Sequence, residues 1–218
     1  MRSGIVLAGG RSTRFDDGDK ALASINGQPM IVHICSQIID SVDELIINCR
    51  EDQRSAIEDV FHGTNFSPKF AIDESPDIGP VGGMLSGLSI ADEYAAVVAC
   101  DIPFISNTVL NSLFSYLSAS SLPENIERTC NQPEVDRYDA VLPKLNSGWY
   151  QPTAAVYRST PVAQACRCAI EQNEQKALAP LEYLNWVSVP EQEVTTSERT
   201  FQNVNTTEEL AAAKQYFE

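Results

Sequence analysis

The sequence predicts an α/β protein of three layers, in which helices cover both faces of a mostly parallel, mixed β-sheet. Short apolar runs alternate with helix-like stretches through the first half of the chain, as expected for parallel strands joined by crossover helices. The chain has 218 residues, of which 43% are hydrophobic, so it can bury a substantial core without disulfides or structural metals. We expect a single domain over residues 1–218.

The first half of the chain carries four strand–helix pairs. Apolar runs predict buried strands at Ile5–Ala8, Glu44–Cys49, Lys69–Ile72 and Ala95–Cys100. Apolar residues at helical spacing predict helices at Gln28–Asp40, Gln53–Phe61, Gly82–Ala91 and Asn107–Leu117. Pro29 falls in the first turn of its helix, where the missing N–H is harmless, and Ser106 is placed to cap the last of these helices.

The pattern is less regular in the second half. Ser118–Arg137 is polar and contains two prolines, which predicts a long loop or lid. Strands are predicted at Asp139–Pro143, Thr153–Tyr157 and Trp186–Val189, and helices at Thr160–Glu171, Leu178–Leu184 and Thr206–Phe217. Thr206 and Glu209 have the spacing of a capping box at the start of the last helix.

The charge and the cysteines narrow the class of protein. Thirty acidic residues against fifteen basic ones give a net charge of −15, which disfavours nucleic acid and anionic membranes as partners. An acidic surface of this kind also suits a salt-rich cytoplasm, because salt screens the self-repulsion. The six cysteines form no C-x-x-C pair and the two histidines are far apart in sequence, which argues against a zinc site.

The expected location is the cytoplasm. The longest apolar runs fall well short of the roughly 20 residues that span a bilayer, and the N-terminus leads directly into the first strand without a signal-peptide pattern. Cys49 and Cys100 end strand-like runs and are expected to be buried thiols. Cys166 and Cys168 are two residues apart, so on a helix they do not share a face.

The loop after the first strand predicts a phosphate site. Gly9 and Gly10 end the apolar run, and glycine lets the backbone N–H groups approach a phosphate closely. Three cations follow in the same loop: Arg11, Arg14 and Lys20. The loop matches neither the Walker P-loop nor the dinucleotide fingerprint, which argues against a kinase or a nicotinamide-linked reductase. An ordinary glycine turn with surface cations is the alternative interpretation.

Two acidic residues and a second glycine-rich segment should lie near this loop, since ligands of parallel sheets bind at the carboxyl ends of the strands. Asp101 follows a buried strand and is suited to hold Mg²⁺, although it could simply cap a turn before Pro103. Asp73 could accept hydrogen bonds from a base or ribose, or be a plain loop carboxylate. Gly79–Gly83 could let a nucleoside lie against the backbone, or serve helix packing.

Taken together, these segments resemble the nucleotidyltransferase superfamily and, within it, the molybdenum cofactor guanylyltransferases. The resemblance runs nearly end to end and rests on the following segments: LAGGRSTR at Leu7–Arg14, DKAL at Asp19–Leu22, INGQPM at Ile25–Met30, Asn48, Asp73, GPVGG at Gly79–Gly83, CDIP at Cys100–Pro103, QPTAAVY at Gln151–Tyr157 and NVNTTEEL at Asn203–Leu210. Relatives that read LAAG, such as cytidylyltransferases and sugar-phosphate enzymes, have alanine in place of the first glycine, Gly9.

The resemblance implies a Rossmann-like nucleotidyltransferase fold and transfer of GMP from GTP to the terminal phosphate of molybdopterin, with Mg²⁺ as cofactor. It implies that GTP contacts the following residues: Leu7, Ala8, Gly9, Gly10, Lys20, Asn48, Asp73, Gly82 and Asp101. The implied catalytic residues are Arg14, Lys20 and Asp101, the last as the metal ligand, and Asn203 and Asn205 fall on the acceptor or metal side. Molybdoenzyme maturation proteins are candidate partners.

The sequence departs from the family in the phosphate loop. The family has a glycine soon after the second arginine, whereas here Phe15 is followed by Asp16 and Asp17 and then by Gly18. Carboxylates beside a triphosphate are repulsive unless they face solvent or help to bind metal. Two other functions fit the same residues: nucleotide transfer to a different phosphorylated acceptor, such as a sugar phosphate, and nucleotide binding without catalysis.

Overall fold

Strands from along the whole chain join in one large sheet in the computed structural model. The structure describes residues 1–11, 15, 18–73, 77–119, 121–123, 126–129 and 137–217. The predicted catalytic Arg14 and the acidic pair Asp16 and Asp17 lie outside the described residues.

The first half of the chain forms the predicted strand–helix pairs with small shifts at their ends. The strands are β1 (Arg2–Leu7), β2 (Ser24–Ile25), β3 (Gln28–Pro29), β4 (Glu44–Cys49), β5 (Lys69–Ile72) and β6 (Tyr94–Ala99). The helices are α1 (Met30–Ile38), α2 (Glu51–Asp59), α3 (Pro80–Ile90) and α4 (Asn107–Leu117), with short 3₁₀ turns at Lys20–Leu22 and Ile39–Ser41. Ser106 caps α4 by accepting a hydrogen bond from Val109 N–H, as predicted.

One predicted helix starts later than expected. Gln28 and Pro29 belong to β3, which pairs antiparallel with β2 in a small hairpin, so α1 begins at Met30. Asn26 and Gly27 form the turn with φ values of 48° and 73°. Asn-Gly is a strong signal for such a two-residue turn, because both positions require positive φ. The hairpin was therefore readable from the sequence.

The second half contains one strand that the sequence analysis missed. The elements are β7 (Glu127–Thr129), β8 (Ala140–Lys144), β9 (Ala154–Arg158), α5 (Ser159–Glu171), β10 (Trp186–Pro190), α6 (Glu191–Val194) and α7 (Thr207–Lys214), with a 3₁₀ turn at Ala179–Tyr183 in place of the predicted helix at 178–184. The predicted loop over 118–137 is wrong at β7, which pairs antiparallel with β10. Its side chains are exposed or half-buried, so no alternating apolar pattern marks it.

The sheet is mixed and mostly parallel, in the order β5-β4-β1-β6-β9-β8-β10-β7. The first four strands in this order are parallel, so their carboxyl ends meet at one edge. Strand β9 runs antiparallel to β6, so its amino end reaches the same edge. This arrangement confirms the predicted fold class and brings the segments after β1, β4, β5 and β6 together.

Helices cover both faces of the sheet because its central strands are apolar on both sides. On β1, Val6 belongs to the apolar cluster that includes side chains of α1 and α4, whereas Ile5 belongs to the cluster with α3 and α5. Strands β4 and β6 divide their side chains between the same two clusters. The alternation follows from the two-residue period of a strand.

Helix α7 and its cap place the end of the chain on this framework. Thr206 Oγ1 accepts a hydrogen bond from Glu209 N–H at 3.1 Å, and the Glu209 carboxylate accepts one from Thr206 N–H at 3.2 Å, which confirms the predicted capping box. Val204 N–H donates to the carbonyl of Asp101 at 2.8 Å. The C-terminal segment is therefore fastened to the turn that follows β6.

Candidate functional site

A cavity of about 500 Å³ opens at the carboxyl edge of the parallel strands. All nine residues predicted to contact GTP line it: Leu7, Ala8, Gly9, Gly10, Lys20, Asn48, Asp73, Gly82 and Asp101. The nine residues come from six parts of the chain and converge because β1, β4, β5 and β6 are parallel neighbours. Thr153, immediately before β9, lines the cavity as well.

Two glycines of the cavity are required by close contacts rather than by backbone conformation. A Cβ at Gly9 would lie 2.5 Å from Oδ2 of Asp73, and a Cβ at Gly83 would overlap the amide oxygen of Asn48. At Gly10, by contrast, a Cβ would meet no described atom within 4 Å. Gly9 and Gly83 therefore let the first loop and helix α3 close around the polar pair formed by Asn48 and Asp73.

Asn48 and Asp73 form a directional polar pair in the cavity wall. Asn48 Nδ2 donates to Asp73 Oδ1 at 2.6 Å and to the Ala71 carbonyl at 3.1 Å, which fixes the amide orientation. Burial raises the pKa of Asp73, and hydrogen bonds from Asn48 and Ser86 oppose that rise. A half-buried carboxylate held in this way can accept hydrogen bonds from the N–H groups of a bound base or sugar.

Lys20 lies across the cavity from the Asn48–Asp73 pair and connects the N-terminal part of the chain with its C-terminal part. Its Nζ lies 3.0 Å from Asp101 Oδ2 and 3.2 Å from Asn205 Oδ1. The Lys20 and Asp101 side chains are 15% and 20% exposed, so the pair is protected from full solvent screening. The turn that carries Lys20 is capped by Asp19, whose Oδ1 accepts from Ala21 N–H at 3.0 Å.

The cysteines near the cavity are neutral thiols. Burial is the main cause that raises the pKa of Cys49 to about 12 and that of Cys100 to about 12. Five cysteines are free and four of them are buried, including Cys49 and Cys100 as predicted; Cys130 lies outside the described residues. Cys166 is buried and Cys168 half-buried, so the two do not share a face of α5. Among the described cysteines, none therefore supplies a thiolate nucleophile to this site at neutral pH.

Sequence reasoning missed two interactions at the glycine loop. Arg11 and Asp77 form a two-pronged ion pair, with Nε–Oδ1 at 2.5 Å and Nη2–Oδ2 at 2.6 Å, and both residues line the cavity. Arg50 donates from Nη1 to the carbonyls of Gly9 and Gly10 at 2.7 and 2.9 Å. Both contacts join residues forty or more positions apart, so no local pattern reveals them.

The two predicted acceptor-side residues differ in position. Asn205 lies against Lys20, whereas Asn203 is exposed and is not among the residues that line the cavity. Their role toward an acceptor stays a prediction.

The described part of the chain contains neither a candidate membrane span nor a cluster of metal-binding side chains. None of its helices is both long and apolar enough to cross a membrane. Within the same residues, no group of three or more His, Cys, Asp or Glu side chains is placed to hold a metal ion.

Comparisons with known proteins show the family to which the chain belongs. The family model described as "MobA-like NTP transferase domain" matches residues 4–184. A "probable molybdenum cofactor guanylyltransferase" of Natronomonas pharaonis is 34% identical over 217 residues, covering 98% of this chain and 97% of the relative. A "molybdenum cofactor guanylyltransferase" of Burkholderia ambifaria is 32% identical over 212 residues, covering 96% of this chain and 94% of the relative.

Solved structures support the same fold. The crystal structure of "molybdopterin-guanine dinucleotide biosynthesis protein A" from Archaeoglobus fulgidus has a TM-score of 0.74 at 23% identity, covering 99% of this chain and 98% of that one. A "nucleotidyl transferase" from Methanothermobacter thermautotrophicus has a TM-score of 0.69 at 15% identity, covering 100% and 97%. At these identities the likeness concerns the fold alone.

Proposed function

We propose that this chain transfers GMP from GTP to the terminal phosphate of molybdopterin, because it belongs to the MobA-like NTP transferase family and is a nucleotidyltransferase. The products are the guanine dinucleotide form of the cofactor and pyrophosphate. The observation that carries the proposal is the arrangement of the cavity, with the glycine loop between the Asn48–Asp73 pair and the Lys20–Asp101 pair. One pair suits a nucleoside, and the other suits phosphates and a cation.

The orientation of the nucleotide follows from these two pairs. Asp73 is an acceptor suited to the N–H groups of guanine, and Asn48 holds its carboxylate in place. The triphosphate then extends along Gly9 and Gly10 toward Lys20, whose ammonium offsets charge on the departing pyrophosphate. Arg14 is proposed to share this task.

The oxygen donors near Lys20 fit a divalent cation. Nucleotidyltransferases of this kind typically use a divalent metal, and we propose Mg²⁺. The oxygens of Asp101 and Asn205 both lie within 3.2 Å of one ammonium, so they already converge on a single positive charge. Mg²⁺ prefers one or two carboxylates completed by phosphate oxygens and water, and when bound there it supplies charge neutralisation for the phosphates.

The proposed reaction needs no protein nucleophile. The acceptor phosphate attacks the α-phosphorus of GTP in line, so the protein acts mainly by positioning and by neutralising charge. The neutral thiols of Cys49 and Cys100 agree with such a mechanism.

We also propose a cellular location and partners for the product. Five free cysteines suit a reducing compartment, which supports the cytoplasm. Molybdoenzyme maturation proteins are proposed as recipients of the product.

The test is pyrophosphate release by the purified protein with Mg²⁺ and molybdopterin, comparing GTP, CTP and ATP. Release that requires both GTP and molybdopterin is expected. Pyrophosphate release with GTP and a sugar phosphate, but not with molybdopterin, would show that the acceptor is a sugar phosphate. GTP binding without pyrophosphate release under any condition would indicate a binding protein.

Two substitutions test the residue roles. We expect Asp101→Asn and Lys20→Ala to lower kcat/KM for GTP by about 10²–10³-fold, because each removes a group that acts on the phosphates. Lys69→Ala is the matched control for Lys20, since Lys69 is an exposed lysine paired with Glu44. Asp43→Asn is the control for Asp101, since Asp43 accepts a hydrogen bond from the Arg2 backbone N–H at the opposite edge of the sheet. Near-normal turnover in Asp101→Asn would contradict its assignment as the metal ligand.

A further inference from the structure

The start of helix α2 carries two side chains that reach behind the glycine loop. Arg50 precedes the helix and Gln53 lies in its first turn, and neither is among the residues that line the cavity. Arg50 Nη1 donates to the carbonyls of Gly9 and Gly10 at 2.7 and 2.9 Å, and Gln53 Nε2 donates to the Ala8 carbonyl at 3.1 Å. Three consecutive carbonyls of the loop are therefore bonded to α2.

These bonds determine where the N–H groups of the loop point. In a planar trans peptide, the carbonyl and the N–H that follows it point in opposite directions. With the carbonyls of residues 8–10 directed at α2, the N–H groups of Gly9, Gly10 and Arg11 point away from it. Within the described residues these three N–H groups donate to no protein acceptor. A row of such donors is suited to phosphate oxygens.

Both side chains are themselves held in place. The Arg50 guanidinium also binds the Asp52 carboxylate, with Nε–Oδ1 at 3.0 Å and Nη2–Oδ2 at 3.1 Å. Gln53 is 5% exposed, and its Oε1 accepts from Arg50 N–H at 3.1 Å. Little side-chain freedom is then left to lose when a ligand binds.

Gln53 also connects the glycine loop to the lysine of the site. Its Nε2 donates to Asp19 Oδ2, and the other oxygen of Asp19 accepts from Ala21 N–H in the turn that carries Lys20. One buried amide thus sets the spacing between the two segments that are proposed to hold the triphosphate.

We propose that Arg50 and Gln53 are positioning residues that orient the N–H groups of the glycine loop toward the phosphates of the nucleotide. The inference rests on the proposed function only in taking the anion to be a nucleoside triphosphate. It assigns the two residues a role in binding phosphates and none in binding the base.

The test compares the binding of GTP and of guanosine by calorimetry, in the presence of Mg²⁺ and without any acceptor. Arg50→Lys keeps the positive charge but loses the planar fork that reaches two carbonyls and Asp52 together. We expect it to weaken GTP binding about tenfold, while guanosine binding stays within about twofold of the wild type. Gln53→Met keeps length and burial, removes the donors, and should do the same.

The matched control is Arg54→Lys on the same helix. Arg54 is exposed, lies 4.0 Å from Glu58 and stacks on Phe70, so neither ligand should be affected. The inference is overturned if Arg50→Lys and Gln53→Met bind both ligands as the wild type does, or lose guanosine and GTP affinity equally.

Failure of this inference can be distinguished from failure of the proposed function. Wild-type protein that binds GTP more tightly than guanosine, but releases no pyrophosphate with molybdopterin, contradicts the proposed reaction and leaves this inference standing. Wild-type protein that binds both alike shows that the loop does not hold phosphate, and overturns it.

Discussion

At the scale of single residues, Asp73 shows how a proposed binding group is held at a cost to stability. Its carboxylate lies half-buried against Gly9 and accepts a hydrogen bond from Asn48 at 2.6 Å. Burial nevertheless raises its pKa, because desolvation of the charge outweighs the hydrogen bonds that favour it. A raised pKa stabilises the fold below the unfolded-state pKa of about 3.9, and this contribution is lost as the pH rises through the folded-state pKa. At neutral pH the ionised group therefore destabilises the protein.

We predict that Asp73→Asn raises the melting temperature at pH 7 by roughly 1–3 °C and lowers GTP affinity. The neutral amide keeps an acceptor for Asn48 but carries no buried charge. The gain in stability should shrink as the pH is lowered toward 4, where the wild-type carboxyl becomes protonated. Melting curves of both proteins across this range are the measurement. A variant less stable than the wild type by the same amount at every pH would rule out the electrostatic cause.

At the scale of an element, helix α3 has to approach the sheet closely to carry its first turn into the cavity. A Cβ at Gly87 would lie 2.6 Å from Cγ2 of Ile5 on strand β1. Gly79, just before the helix, has φ = 77°, and a Cβ there would lie 2.8 Å from the Gln175 carbonyl oxygen. Gly87 thus serves packing against the sheet, and Gly79 lets the start of the helix lie against the Gln175 backbone.

For this reason we predict that Gly87→Ala lowers stability by about 1–3 kcal/mol, through overpacking against Ile5, although alanine favours helices. In a chain of this size the melting temperature should fall by roughly 2–4 °C per kcal/mol. Ser89→Ala, on the exposed face of the same helix, is the control and should not destabilise. Equal melting temperatures for Gly87→Ala and wild type would mean that α3 can move away from β1 without loss.

At the scale of the whole molecule, acidic residues outnumber basic ones by thirty to fifteen. The net charge is −15, so the excess carboxylates repel one another in the folded state. This repulsion weakens as added salt shortens the screening length to about 3 Å at 1 M. Salt also weakens attractive pairs such as Lys69–Glu44 and Lys144–Glu127, but the ion pairs among the described residues are fewer than the fifteen acids in excess of bases.

We therefore predict that the melting temperature rises by about 5 °C or more between 0.1 M and 2 M KCl, which corresponds to roughly 1–3 kcal/mol. Replacing three exposed acids, Glu171, Glu174 and Glu198, with glutamine should reduce this dependence. The same melting temperature in dilute and molar salt would contradict adaptation to salt. Equal salt dependence in the two proteins would show that surface charge is not its cause.

The sequence by itself determined the fold class and the edge of the sheet where the cavity lies. Apolar runs of four to six residues, each followed by a helix-like segment, are a local signal, and parallel strands necessarily bring their carboxyl ends together. The glycine loop, Asp73 and Asp101 could therefore be assigned to one site before any distance was known, and the family resemblance added Leu7 and Asn48. The Thr206–Glu209 capping box was readable for the same reason, since its partners are three residues apart.

Only the tertiary structure decided which partners meet across the chain. Lys20 meets Asn205 over 185 positions, and Arg50 binds the Gly9 carbonyl over 41. Strand β7 has no apolar pattern and exists through its pairing with β10. The periodicity of apolar residues shows which face of each segment is buried. Hydrogen bonds between distant side chains depend instead on how the layers pack, and no local sequence pattern reveals that packing.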